Sequence, residues 1–221
     1  MALLHQAEIT PSKLELIEAW LPDQSWFQEP SAEGLARVAA YRFDDPDGEV
    51  GIEALLVRIG AGPVYQVPLT YRGAPLGGAD AWLVGTTEHS VLGKRWVYAA
   101  CGDPVYAAVL ADALFGTAGQ ADEYLEVDGQ PVLRKPLMTV TTTRAGGRTD
   151  APGDATATAG TVRGVVRGVV SGDPTVIETD LGTLAVVHVL GATPQPDADA
   201  VLTGQRDGID GPLLLAYASR A

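Results

Sequence analysis

Several small groups of residues in this chain carry functional groups at spacings that could support chemistry. Glu88-His89-Ser90 sets an imidazole beside a carboxylate and a hydroxyl, the ingredients of general acid–base catalysis. Adjacent residues of an extended chain point to opposite sides. Glu88 and His89 therefore stand as the catalytic candidates, with a hairpin turn of solvated or capped polar groups as the favoured reading. Asp44, Asp45, Asp47 and Glu49 gather oxygen ligands of the kind calcium takes, yet the Asp-x-Asp-x-Asp-Gly spacing of a calcium loop is absent. A solvated turn is favoured there, and no metal site is expected. Cys101 stands just before Asp103-Pro104, where the free amides of a helix start lower a thiol pKa. No histidine neighbours it in sequence, so a small buried apolar residue is the favoured reading. Arg163 and Arg167 fall on one face of an extended strand and could clamp an anion, although pairing with a carboxylate such as Glu178 is favoured. Trp20, Trp26 and Phe27 offer rings for stacking on a sugar, with core or interface packing preferred.

Composition excludes several function classes. Fifteen Lys and Arg against 28 Asp and Glu leave a formal net charge of -13, a field that repels nucleic-acid backbones and anionic lipid surfaces. No apolar run approaches the roughly 18 to 20 residues needed to cross a bilayer. The single cysteine, Cys101, cannot form an internal disulfide, and residues 1–8 lack the basic and apolar regions of a secretion signal. A cytoplasmic protein is expected, with no nucleic-acid or membrane partner. The 26 Gly, abundant Ala and scarce Lys fit a GC-rich bacterial genome.

The elements that must position these residues follow from punctuation and periodicity. Thr10 and Pro11 have the character of an N-cap and first helical residue, and the apolar stripe from Leu14 to Leu21 predicts a helix over 11–21 that Pro22 stops. Asp103, Pro104 and Gly116 bracket a second helix over 104–115. Between them, 38–43 and 50–59 flank Asp44-Asp45-Pro46-Asp47-Gly48 as a hairpin, followed by strands over 64–71, 82–87 and 95–99, the last two paired. A hairpin over 124–127 and 131–143 turns at Asp128-Gly129. Residues 144–160 hold no aliphatic side chain larger than Ala and are expected to form a flexible linker or long loop. Val-rich runs over 161–171, 175–179 and 183–190 predict a meander, and 212–218 a final strand. The near-repeat from Val162 to Val169 reads as a glycine-bent strand. The fold class is α+β, mainly antiparallel sheet with two principal helices and a mostly β second half. Domains are expected at 1–143 and 161–221.

Three segments carry a family resemblance. Residues 10–27, Thr-Pro-Ser-Lys-Leu-Glu-Leu-Ile-Glu-Ala-Trp-Leu-Pro-Asp-Gln-Ser-Trp-Phe, resemble the opening of the N-terminal cap of actinobacterial maltokinases. Val64-Tyr65-Gln66-Val67-Pro68-Leu69 is similar to a cap strand, and Arg95-Trp96-Val97-Tyr98-Ala99-Ala100 with Asp103-Pro104 is similar to the last strand and closing helix. The resemblance spans about residues 1–116, while 161–221 are only loosely similar to the kinases' intermediate subdomain. Maltokinases resemble aminoglycoside phosphotransferases, whose catalytic lobe uses a His-x-Asp loop, an Asn and a further Asp. The three histidines here read His5-Gln6-Ala7, His89-Ser90-Val91 and His188-Val189-Leu190, no phosphate-binding loop is present, and Leu184-Ala185-Val186-Val187-His188 has no lysine where the kinases hold nucleotide. No cofactor is expected.

The reading reached is a non-catalytic binding or regulatory module related to that cap, in or beside trehalose, maltose or α-glucan metabolism. Its partner would be a sugar- or glucan-metabolising enzyme or a second copy of itself. The alternatives are a small enzyme or sugar sensor with its site near Glu88 and His89, and a structural self-association module using open sheet edges.

Overall fold

The computed structural model describes residues 2–4, 8–116, 118–127, 130–145, 148–150, 165–192 and 196–221. Elements run in the order β1 (Ala2–Leu4), β2 (Ile9–Thr10), α1 (Lys13–Trp20), β3 (Leu35–Phe43), β4 (Gly51–Ile59), β5 (Val64–Arg72), β6 (Leu83–His89), β7 (Gly93–Ala99) and α2 (Pro104–Phe115). Then come β8 (Glu123–Val127), β9 (Gln130–Leu133), β10 (Thr139–Arg144), β11 (Arg148–Asp150), β12 (Val166–Val170) and β13 (Thr175–Thr179). The described chain closes with β14 (Gly182–Val186), β15 (Val189–Leu190), β16 (Ala200–Gln205) and β17 (Leu213–Arg220). The first sheet has the order β2-β6-β7-β5-β4-β3, and β15 also pairs with β5. The second has the order β11-β10-β16-β17-β14-β13-β12, and β1-β8-β9 form a small third sheet. Among the described strands every pairing is antiparallel except that of β1 with β8, in keeping with the expected α+β class.

The first sheet is buried on both faces, which explains why β4 reads Gly-Ile-Glu-Ala-Leu-Leu-Val-Arg-Ile rather than alternating. Ile52, Ala54 and Leu56 face one core with Tyr41 and Phe43, while Leu55 and Val57 face a second with Leu16, Ile17 and Leu21 of the α1 region. Helix α1 seats on β6 at Gly85, where a Cβ would come within 2.8 Å of Leu16 Cδ2.

Helix α2 shares its core with both sheets: Tyr106, Val109, Leu110 and Leu114 pack among Tyr41, Ile52, Leu56, Val140, Leu184, Leu202 and Leu215. It is therefore apolar around most of its circumference rather than along a single stripe. Asp103 caps its start, accepting from Val105 N at 2.9 Å, with Pro104 following. Arg144 of β10 donates Nε to the Leu114 carbonyl at 2.8 Å and a guanidinium N–H to Gly116 O at 2.6 Å, tying the helix end to the second sheet.

Several boundaries depart from expectation. The first helix starts at Lys13 with Ser12 as its cap, because Ser12 and Glu15 form a reciprocal capping box that satisfies two free amides at once. Thr10 pairs with Glu88 in the first sheet instead, and Leu21–Asp23 continue past the helix as a 3-10 turn. The expected strand over 131–143 is two strands in different sheets: β9 pairs with β8 and β10 with β16. Strand β10 thus joins the second sheet, across the expected division at 143. Strand β16, whose Ala200, Val201 and Leu202 are buried, was not expected from its short run between aspartates and glycine. Strand β14 stops at Val186, and the chain crosses through Val187 and His188 to join β5 of the first sheet as β15. The expected bend in β12 appears as a register shift between Val166 and Gly168. Residues 151–160 of the expected linker, Asp128-Gly129, His5 and Arg163 lie outside the described residues.

Candidate functional site

The turn between β3 and β4 is the local device from which the site is built. Asp45 accepts from Asp47 N at 3.1 Å through Oδ1, and from Glu49 N at 3.0 Å and Val50 N at 2.9 Å through Oδ2. This closes the turn on its own carboxylate, the role short acidic side chains take in reversals. The turn's neighbours Asp44 and Glu49 face outward. On one side of it lies a groove of about 490 Å³, walled by the turn, by Lys13 at the start of α1, by Tyr71 of β5 and by the β6–β7 hairpin.

Beneath this groove sits a buried charge cluster. Glu53 of β4 is 5% exposed and receives the Lys13 ammonium in an ion pair, with an Arg42 guanidinium nitrogen at 3.7 Å and the Tyr71 hydroxyl at 3.3 Å. Burial alone would push the Glu53 carboxyl up, but Lys13 and Arg42 outweigh it and hold the group below the ordinary carboxylate value. Burial and the adjacent Glu53 charge drive the Tyr71 phenol well up, so it stays a hydroxyl donor. The Lys13 ammonium also lies 5.1 Å above the Tyr71 ring. On the opposite wall Arg95 donates to Leu92 O at 2.7 Å, while its Nε is buried and unpaired. The groove thus offers guanidinium and ammonium donors from Lys13, Arg42 and Arg95, carboxylate acceptors from Asp44 and Glu49, and ring atoms of Phe43 and Tyr71.

The sequence candidates fall in different places. His89 reaches the groove wall, and its Nδ1 accepts from Val91 N at 3.2 Å and Leu92 N at 3.1 Å, capping its own hairpin turn. The proton of the neutral ring is then on Nε2. Glu88, next along the strand, is exposed and pairs across the ladder with Lys94. Ser90 exchanges hydrogen bonds with Glu8, accepting Glu8 N on Oγ at 3.1 Å. Cys101 is 4% exposed in a 3-10 turn, and burial pushes its thiol up to about 12, the behaviour of a core residue rather than a nucleophile. Asp44, Asp45, Asp47 and Glu49 form the turn described above, and no described cluster of three or more His, Cys, Asp or Glu is arranged to hold a metal ion. Trp26 is buried and stacks on His188 at 4.3 Å, Trp20 meets its edge at 6.0 Å, and Phe27 packs on Tyr65 at 5.2 Å, which places Trp26 in the core and the partly buried Trp20 and Phe27 against it. Arg167 is exposed on β12. Among the described residues no helix is long and apolar enough to cross a membrane.

Three buried polar arrangements bring together residues that the sequence does not link. Gln66, fully buried in β5, accepts the Tyr41 hydroxyl of the same sheet at 2.9 Å and donates through Nε2 to Val187 O at 2.8 Å and Leu215 O at 2.9 Å, so its amide nitrogen ties the first sheet to β17 of the second and to the crossing segment after β14. His188, where the chain changes sheets, bonds Gln66 O at 3.0 Å through Nδ1 and Thr175 Oγ1 at 2.9 Å through Nε2. Burial lowers its pKa against the opposing pull of the Gln66 carbonyl and Asp173. Asp103, 1% exposed, holds Arg72 through two bonds of 2.7 Å and accepts the Thr70 hydroxyl at 2.8 Å.

Residues 20–103 match the family model described as the maltokinase N-terminal cap domain. The match begins at the last residue of α1 and ends at the N-cap of α2, taking in β3 to β7 and most of the groove. Over residues 20–103 the resemblance read from the sequence is thereby shown, and this stretch is a maltokinase-cap-related domain. No curated protein matches the chain.

Proposed function

From this relationship to the maltokinase cap we propose that the chain is a non-catalytic binding module acting in or beside trehalose, maltose or α-glucan metabolism. The groove beside the β3–β4 turn is its ligand face. One observation carries the reading: the side chains that could do chemistry are engaged in holding the fold. His89 Nδ1 caps a turn, the Cys101 thiol is buried and protonated, and His188 bridges two sheets. The groove residues, by contrast, line open space with donors and acceptors of both kinds. A polyhydroxylated ligand suits that lining, because each sugar hydroxyl both donates and accepts while the ring's C–H face packs on aromatic surface. The ligand class proposed is therefore a maltose-type oligosaccharide, presented to a glucan-metabolising enzyme.

Calorimetric titration with maltose, maltoheptaose, trehalose and ATP tests this, run beside a turnover assay by NMR. The expected result is oligosaccharide binding that Arg95→Ala weakens, with every sugar recovered unchanged. Phosphorylation or hydrolysis that His89→Ala abolishes in a folded protein would overturn the reading in favour of an enzyme with its site near Glu88 and His89. Absence of binding by all four ligands would remove the groove as a ligand face.

A further inference from the structure

The β3–β4 turn has a second side, which the sugar reading does not use. There, a hollow of about 250 Å³ lies between the turn and α2. Its floor is apolar: Pro104, Val105, Ala108 and Val109, with 104 and 108 one helical turn apart on the face of α2 that neither sheet covers fully. Its rim is acidic: Asp44, Asp45 and Asp47 from the turn, and Asp112 one helical turn beyond Ala108. No Lys, Arg or His is among the residues lining it.

An apolar floor inside a ring of carboxylates selects its occupant by charge. An anionic or neutral apolar segment gains the floor but meets the negative rim, whereas a segment carrying lysine or arginine beside an apolar side chain satisfies both. We infer that this hollow docks a basic amphipathic segment of a partner protein, which seats one apolar side chain against Pro104 and Ala108 and lays a cationic side chain against the aspartate rim. The net charge of -13 speeds the approach of such a segment, while the floor gives it a place to stop.

A fluorescein-labelled synthetic amphipathic helix made only of leucine and lysine serves as the probe, with a control in which every leucine is serine. Polarisation is read at physiological salt against the intact chain. The leucine peptide is expected to bind, and the serine peptide at least about tenfold more weakly, the size set by one buried apolar side chain. Ala108→Phe, which fills the hollow, should cost a similar factor and Asp112→Asn a smaller one, while Asp207→Asn, at an exposed residue that does not line the hollow, leaves binding unchanged. Should Ala108→Phe perturb folding, amide shifts of the unaltered chain decide: perturbations clustered at 44–47 and 104–112 support the docking site, and perturbations spread over the surface overturn it. Equal binding of the two peptides, or no binding of the leucine peptide, also overturns it.

Discussion

At the seam between the two sheets, Gln66 and His188 spend their side-chain polar atoms on partners inside the protein, whereas around the β3–β4 turn Lys13, Arg42, Arg95, Asp44 and Glu49 line open space. Both regions use polar side chains, yet the seam is neutral and closed while the hollows are charged and open. The difference is one of desolvation. A neutral amide can be buried at little net loss when every group is paired, but a charge needs water or a counter-charge, so charges collect where the fold leaves space. Glu53 and Asp103 are exceptions that fit this division: each is buried with a counter-charge, Glu53 with Lys13 and Arg42, and Asp103 with Arg72.

The largest expected effect therefore lies at the seam. Gln66→Ala takes the buried partner from the Tyr41 hydroxyl and the Val187 carbonyl and leaves Leu215 O with Val187 N alone, and should destabilise the protein by about 3 kcal/mol in urea unfolding. A loss near zero would mean that the Gln66 side chain adds nothing to the backbone and apolar contacts at the seam. Glu53→Gln comes next, at roughly 2 kcal/mol, below the usual figure for a broken buried pair because Lys13 and Arg42 keep partial access to water. It has an acid signature as well. The folded Glu53 pKa is depressed, so its contribution is present above the ordinary value of 4.5 and is lost as pH falls through the folded value. The glutamine variant should lose that acid limb.

His188 sharpens the comparison from the other side. Its folded pKa is lowered by burial, so the unfolded chain binds the proton more readily: stability is complete above the ordinary value of 6.5 and declines as pH falls below it toward the folded value. Unfolding midpoints measured from neutral pH down to about pH 5 should slope downward in the unaltered protein and flatten in His188→Gln. A matching slope in both proteins would assign the effect to another group.

Legibility in the sequence followed sequence distance. The Asp103-Pro104 start of α2, the β3–β4 hairpin and the β6–β7 pair rest on residues that are neighbours along the chain, and they stand where expected. Gln66 carried no signal, because it is one polar residue in an apolar run and its partners lie 121 and 149 residues downstream. The groove was hidden for the same reason. The sequence marks Glu88-His89-Ser90 and the acidic group of Asp44, Asp45, Asp47 and Glu49 as separate clusters, but only the first sheet's strand order brings the β6–β7 hairpin and the start of α1 to the β3–β4 turn. Even locally, competing caps misled: Thr10-Pro11 and Ser12-x-x-Glu15 both have helix-start chemistry, and the one that satisfies two amides set the boundary.

The smallest effect is expected at His89, and it separates a groove residue from a seam residue of the same type. His89→Ala removes the acceptor for Val91 N and Leu92 N, but that turn is exposed, and water replaces the imidazole. The loss should stay under about 1 kcal/mol, against a larger one for any buried amide left without a partner. Hydrogen exchange gives the finer reading: faster exchange confined to residues 90–93 is expected, with β5 and β15 unchanged. Acceleration reaching β5 would mean that the hairpin and the seam open together, and the groove would then be part of the same cooperative unit as the core rather than an open margin on it.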